Sequence, residues 1–400
     1  MTRLNRRRFL KFAGLTLGSL GFNTALFQHQ AQRYGQALAQ STPRKLALLV
    51  GINQYSELPL EGCLNDVDLQ RNLLIHRFGF NPRDILVVAD QEATREGILT
   101  AFEEHLIKQA QPGDVVVYHY SGHGSRIADP NPILNEWERR QGLNGTFVPI
   151  DSELPVGYPE VGGSVKDIMG HTLYLLMSAL KTENVSVILD SCFAGGATRE
   201  TRTRSREGGR NILVSSAEKA YQQQWLSRLQ MSPQEFASGY RRGVAKGVVL
   251  AASAPDQLAK ELVINGFNAG LFSYLLTHYL WQEDSNIEAV FQKIAPEIPE
   301  NFDQNPRYEV KPGSNYASGR PYFINNPQTT AQAVVTQVNN RQAQLWLGGV
   351  DLRQVAAGTM FTAVEGTGQV RVLSRDGIKA TAAIENTVTA GTPLQLALAR

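Results

Sequence analysis

Cysteine is scarce in this sequence: there are two among 400 residues, Cys63 and Cys192. Two cannot build a disulfide framework, and no Cys-x-x-Cys pair offers a zinc site. Net charge is also nearly absent, at +2, so nothing directs the chain toward nucleic acid or a broadly acidic partner. Beyond the first forty residues no apolar run is long enough to read as a membrane span, so none is expected in the mature chain. No strand-like run ends in Gly-x-Ser-x-Gly, which removes the serine turn of α/β-hydrolases. What remains is an ordinary globular composition, 42% hydrophobic and 19% charged, with ample apolar material for a core. Each cysteine has to be explained singly.

The N-terminus stands apart. In RRRFLK the arginines precede a moderately apolar run over residues 9–26, and Ala37-Leu38-Ala39 forms an A-x-A cleavage signal. The expectation is a signal peptide over residues 1–39, similar to the twin-arginine type. Such a leader exports folded protein across the cytoplasmic membrane, to a periplasm or equivalent lumen. The alternative is an uncleaved anchor, but Lys11, Asn23 and three glycines make the run a poor permanent span.

From Lys45 strand-like and helix-like segments alternate. KLALLVG, DILVVAD, DVVVYHYSGHGS, VSVILDS and VVLAASA read as strands, and amphipathic stretches lie between them. This predicts an α/β fold, a mainly parallel sheet flanked by helices, over residues 44–325. Over 197–246 the alternation breaks: TRETRTRSREGGR is Arg-rich and Gly-containing, which predicts an exposed loop, with short helices expected at AYQQQWLSRLQ and after Ser232. Residues 330–400 are β-rich, with a hairpin turning at Asn-Asn-Arg, and predict a small β-domain of unassigned role.

Ligands of such sheets bind beyond the carboxyl ends of the strands. Two strands carry unusual residues there: YHYSGHGS, with His123, and ILDSCFAGG, with Cys192. A thiol becomes a strong nucleophile when a base lies within hydrogen-bond reach. Flanking small residues let the backbone turn and a substrate approach. His119 is the rival base, but it lies inside its strand between two tyrosines. His76, His105 and His278 fall in helical patterns, His171 opens a helix and His29 lies in the leader.

YSGHGS and DSCFAGG resemble the caspase-like clan of cysteine peptidases, most nearly the metacaspases and their prokaryotic relatives, the orthocaspases. LLVGINQY, GCLNDV, FVPIDSE, LAASAPDQLAKE and GLFSYLL extend the likeness over residues 45–323 in the right order. The resemblance implies a cysteine endopeptidase acting on protein or peptide substrates. It makes Cys192 the nucleophile and His123 the proton-transfer base and acid. It assigns the oxyanion hole to the N–H groups of Gly124 and Cys192. It assigns Asp190, Asp66 and Ser121 to the pocket for the P1 side chain. Two carboxylates there favour Arg or Lys and repel Asp.

Cys63 aligns with a second cysteine of some metacaspases, or is a buried thiol. Metacaspases usually carry a second His after the nucleophile, where this chain has Phe193. Many also bind calcium; the acids offered here are Asp151 and Asp167, without the usual double acid, so calcium dependence stays open. No cofactor is required for the chemistry. In this clan the segment after the nucleophile strand separates large- and small-subunit parts. Self-cleavage is therefore expected at Arg199, Arg202, Arg204, Arg206 or Arg210, or at Arg241-Arg242, the alternative being a plain basic surface loop. Two rival functions remain: a caspase-like binding module with little or no catalysis, and a redox thiol protein with Cys63 as the resolving partner.

Overall fold

A computed structural model describes residues 43–130, 132–133, 142–192, 203–325 and 327–397. The expected leader lies outside them. Among the described residues no helix is long and apolar enough to cross a membrane.

The chemistry-bearing sheet has six strands in the order β13-β10-β8-β3-β1-β2. These are β1 (Lys45–Gly51), β2 (Ile85–Ala89), β3 (Val115–Ser121), β8 (Asn184–Asp190), β10 (Val248–Ala251) and β13 (Arg307–Val310). Five run parallel, and β13 closes one edge antiparallel. Alternation along β1 divides the core. Leu46, Leu48 and Val50 face one apolar cluster, with Phe102 and Leu175. Ala47 and Leu49 face the other, with Val67, Leu69 and Leu73 of helix α1 (Cys63–His76). Each such buried Leu or Val contributes about 1.5–3 kcal/mol. Covering both faces is what lets β1 and β3 read as continuous apolar runs.

A second sheet of short strands lies beside the carboxyl ends: β6 (Gly163–Val165), β9 (Gly209–Val214), β4 (Gly124–Ala128), β5 (Leu143–Phe147) and β7 (Ile168–Met169), in that order. Strand β9 runs parallel to β4, with a shift of register. Helices α2 (Arg95–Ala101) and α3 (Gly170–Ala179) precede it. Helix α4 (Ser216–Arg228) and helix α5 (Pro233–Arg242) follow, each capped by a serine side chain. The helices expected at AYQQQWLSRLQ and after Ser232 are thus present, while the Arg-rich stretch expected to be an exposed loop runs into β9. Only the first part of the 197–246 segment, 197–202, falls outside the described residues, as do 193–196 before it.

The hairpin β11 (Glu261–Ile264)–β12 (Phe267–Gly270) leads into α6 (Leu271–Gln282) and α7 (Ile287–Ile294). The C-terminal β-rich part is a closed six-stranded barrel, ordered β14 (Ala333–Asn339), β15 (Gln342–Trp346), β18 (Lys379–Asn386), β17 (Gln369–Asp376), β16 (Met360–Ala363) and β19 (Pro393–Leu396). The expected Asn-Asn-Arg turn joins β14 to β15, with Asn340 in the left-handed region at φ +54°. The barrel shares its core with the helices of the main sheet: Trp346 packs on Trp281, ring centres 5.0 Å apart.

Candidate active site

In-register pairing of β3 with β8 aligns Ser121 with Asp190. His123 and Cys192 then each lie two residues further, beyond the same sheet edge. Both are almost fully buried. Gly124 has to be glycine, because a Cβ there would collide with the Cys192 carbonyl.

The His123 ring is held from both sides. Its Nε2 lies 2.7 Å from the Leu58 carbonyl oxygen, Tyr55 packs on it at 4.4 Å, and the Tyr55 hydroxyl accepts the His123 N–H at 2.9 Å. An Nε2–H donated to that carbonyl leaves Nδ1 as the basic nitrogen, and Nδ1 has no hydrogen-bond partner. Leu58 reaches this position with φ at +54°. Burial lowers the imidazole to about 4, with Arg206 and Arg204 acting in the same direction against the Leu58 bond. Burial likewise pushes the Cys192 thiol up to about 12. The thiol sulfur accepts the Ala259 N–H at 2.7 Å and is not hydrogen-bonded to His123. Both groups are therefore neutral, the thiol facing Ala259.

The residues assigned to the P1 pocket come together around a residue of the chain itself. Arg204 is fully buried, with Nη2 2.6 Å from Asp66 Oδ2 and 3.3 Å from Glu261 Oε2, and Nη1 3.1 Å from Asp190 Oδ1. Nη1 also donates to Ser121 Oγ at 2.6 Å, and Ser121 donates to Asp66 at 2.7 Å. Gly270 and Ser273 N–H groups orient Asp66 and Asp190. Burial pushes the Asp66 carboxyl upward and Arg204 pulls it back.

The Arg204 backbone is placed as firmly. Its carbonyl oxygen accepts from the N–H groups of Gly124 and Cys192, each at 3.0 Å, so the two expected oxyanion donors converge on one acceptor. Its own N–H donates to the Ala259 carbonyl, and the Arg206 N–H donates to the Gly124 carbonyl. Thr203 bridges Lys260 and Ser205 bridges Gly124. Residues 203–206 thus lie extended between β4 and the chain at 259–260, as an added strand.

Arg204 and Arg206 were expected on an exposed loop and are instead buried. Acids from three remote parts of the chain pair with the buried Arg204, and Asp167 with Ser152 pairs with Arg206. Arg210 is exposed on β9. Arg199 and Arg202 lie outside the described residues. Arg241 and Arg242 end helix α5, where no extended segment is presented.

Asp151 and Asp167, the acids offered for calcium, have separate partners. Asp151 accepts the Arg95 N–H and pairs with Lys166, while Asp167 is taken by Thr146, Ser152 and Arg206. Among the described residues no group of three His, Cys, Asp or Glu could hold a metal. His119 is buried in β3, and burial lowers it to about 3. Cys63 is buried, and both cysteines are free thiols.

Sequence reasoning missed Glu261, although it ends the fragment LAASAPDQLAKE. It also missed Leu58 and Ala259, which act through backbone groups and leave no side-chain signal.

The caspase-domain family profile matches residues 44–316. Metacaspase-1 of Candida glabrata is 25% identical over 302 residues, covering 67% of this chain and 73% of that protein. Metacaspase-1 of Meyerozyma guilliermondii is 32% identical over 180 residues, 42% of this chain and 40% of the relative. Metacaspase-1 of Schizosaccharomyces pombe is 30% identical over 172 residues, 41% and 37% respectively. The chain belongs to the caspase-domain family and is a metacaspase-like cysteine peptidase.

Proposed function

We propose that this peptidase cuts after Arg or Lys through Cys192 and His123, and that its first substrate is its own Arg204–Ser205 bond. One observation carries the reading. A single residue has its guanidinium among Asp66, Asp190 and Glu261 while its carbonyl oxygen accepts from Gly124 and Cys192.

In this reading Cys192 Sγ attacks the Arg204 carbonyl carbon, and the thiol proton passes to His123 Nδ1. The carbonyl electron pair moves onto oxygen, where the two N–H groups stabilise it. Collapse breaks the C–N bond. The Ser205 amine takes the proton from His123, leaving Arg204 as a thioester. Water then attacks the thioester with His123 as base, which frees the Arg204 carboxylate and the thiol. The Leu58 carbonyl orients the imidazole throughout, and no metal enters any step. The sulfur must first leave Ala259, so the described arrangement is a latent precursor. The acid pocket would repel P1 Asp, which separates this enzyme from peptidases that cut after aspartate. Export by the twin-arginine-type leader belongs to the same proposal; it places the activity outside the cytoplasm.

The test is a peptide panel with Arg, Lys, Ala or Asp at P1, run on wild type and on Cys192→Ala. Arg and Lys peptides are expected to be cut by wild type alone. Preference for Asp, or substantial turnover by Cys192→Ala, would overturn the reading.

A further inference from the structure

Two residues past the Arg204 carbonyl, a second arginine has its own binding site. Arg206 Nη2 donates to Asp167 Oδ2 at 2.7 Å, and Nη1 donates to the Ser152 carbonyl at 3.1 Å and lies 3.3 Å from Ser152 Oγ. Asp167 is buried, and so is the arginine. The carboxylate is held in place by others. Thr146 Oγ1 donates to its Oδ2 at 2.5 Å and Ser152 Oγ to its Oδ1 at 2.6 Å, while the Lys166 N–H fixes Ser152 at 3.0 Å. Thr146 lies on β5 and Asp167 just before β7, and these strands pair with each other. None of these groups belongs to the segment that lies in the groove, so the site persists whatever occupies it.

A buried carboxylate with a carbonyl beside it is matched by a planar guanidinium, which reaches both acceptors at once. We infer that Asp167, Ser152 and Thr146 form a primed-side subsite selecting a basic residue, Arg above Lys, at P2′ of the cleaved bond. Asp167 is then a specificity-determining residue and not a calcium ligand. The inference rests on the reading that Arg204 occupies the P1 position, since that fixes Arg206 as P2′. It extends to substrates in trans: the preferred sequence becomes Arg or Lys, one residue, then Arg.

The experiment uses the processed full-length enzyme carrying Arg206→Gln, so that its own arginine does not compete. Internally quenched peptides hold Arg at P1 and Ser at P1′, with Arg, Lys, Ala or Glu at P2′. The expected result is kcat/KM about tenfold or more higher for P2′ Arg than for Ala, with Glu lowest. Asp167→Asn is expected to flatten that order while Arg at P1 stays preferred. Equal kcat/KM across the panel, every peptide being cut after the P1 Arg, overturns the subsite and leaves the P1 reading standing. The kcat/KM is read for the bond after the P1 Arg alone; cleavage at bonds that follow neither Arg nor Lys overturns the P1 reading, and the subsite with it.

Discussion

Arg204 and Arg206 lie two residues apart on one extended segment, and both are buried, yet the two burials differ in charge. Around Arg204 three carboxylates face one cation; around Arg206 there is one carboxylate, already satisfied by two hydroxyls. The first site cannot stand empty and dry, because buried like charges are costly without a partner. The second loses less when its arginine goes. On the proposed reading, the difference means that the first pocket anchors an occupant, whereas the second tunes which occupant is preferred.

Breaking the comparison at its stronger end gives the largest effect. Arg204→Ala leaves Asp66, Asp190 and Glu261 facing one another. It should destabilise the precursor by about 3–5 kcal/mol and slow cleavage at this position by about a hundredfold or more. Arg206→Ala should cost only about 1–3 kcal/mol and slow self-cleavage about tenfold. Denaturant midpoints and gel time courses of the two variants check this; equal losses would remove the distinction between anchor and selector.

A smaller effect sharpens the same comparison through pH. In the precursor, burial lowers His123 to about 4, and the two arginines add to the shift. The reactive form needs a neutral imidazole, so self-cleavage should hold its rate down to about pH 5 and fall as His123 protonates below that. Once residues 203–206 leave the groove, water enters and both positive charges depart. Each change raises the imidazole toward its usual value. The acid limb for peptide cleavage should therefore lie about a unit or more higher than that for self-cleavage. Coincident limbs would contradict the burial argument.

Much of the site was legible because it is built from strand ends. The β3 and β8 runs, the small residues after them, and the polar residues at the switch pointed to one sheet edge, and His123 and Cys192 both lie just beyond it. Asp66 and Asp190 were legible only through resemblance to a family, since either also reads as an ordinary helix-start or turn acid. The Arg204 burial was not legible. Thr, Arg, Ser, Glu and Gly compose a solvated loop by every local rule, and only acids at 66, 190 and 261 make burial favourable. Nor was the barrel: its β pattern predicted hairpins, but closure depends on β14 pairing with β19, some sixty residues away.

The central claim is that Arg204 is the residue this enzyme cuts after in its own chain. N-terminal sequencing of the C-terminal fragment from purified wild type, with Cys192→Ala alongside, tests it most directly. The account predicts a fragment beginning at Ser205 in wild type and an intact chain in the variant. A fragment beginning elsewhere, or the same fragment from Cys192→Ala, would contradict it.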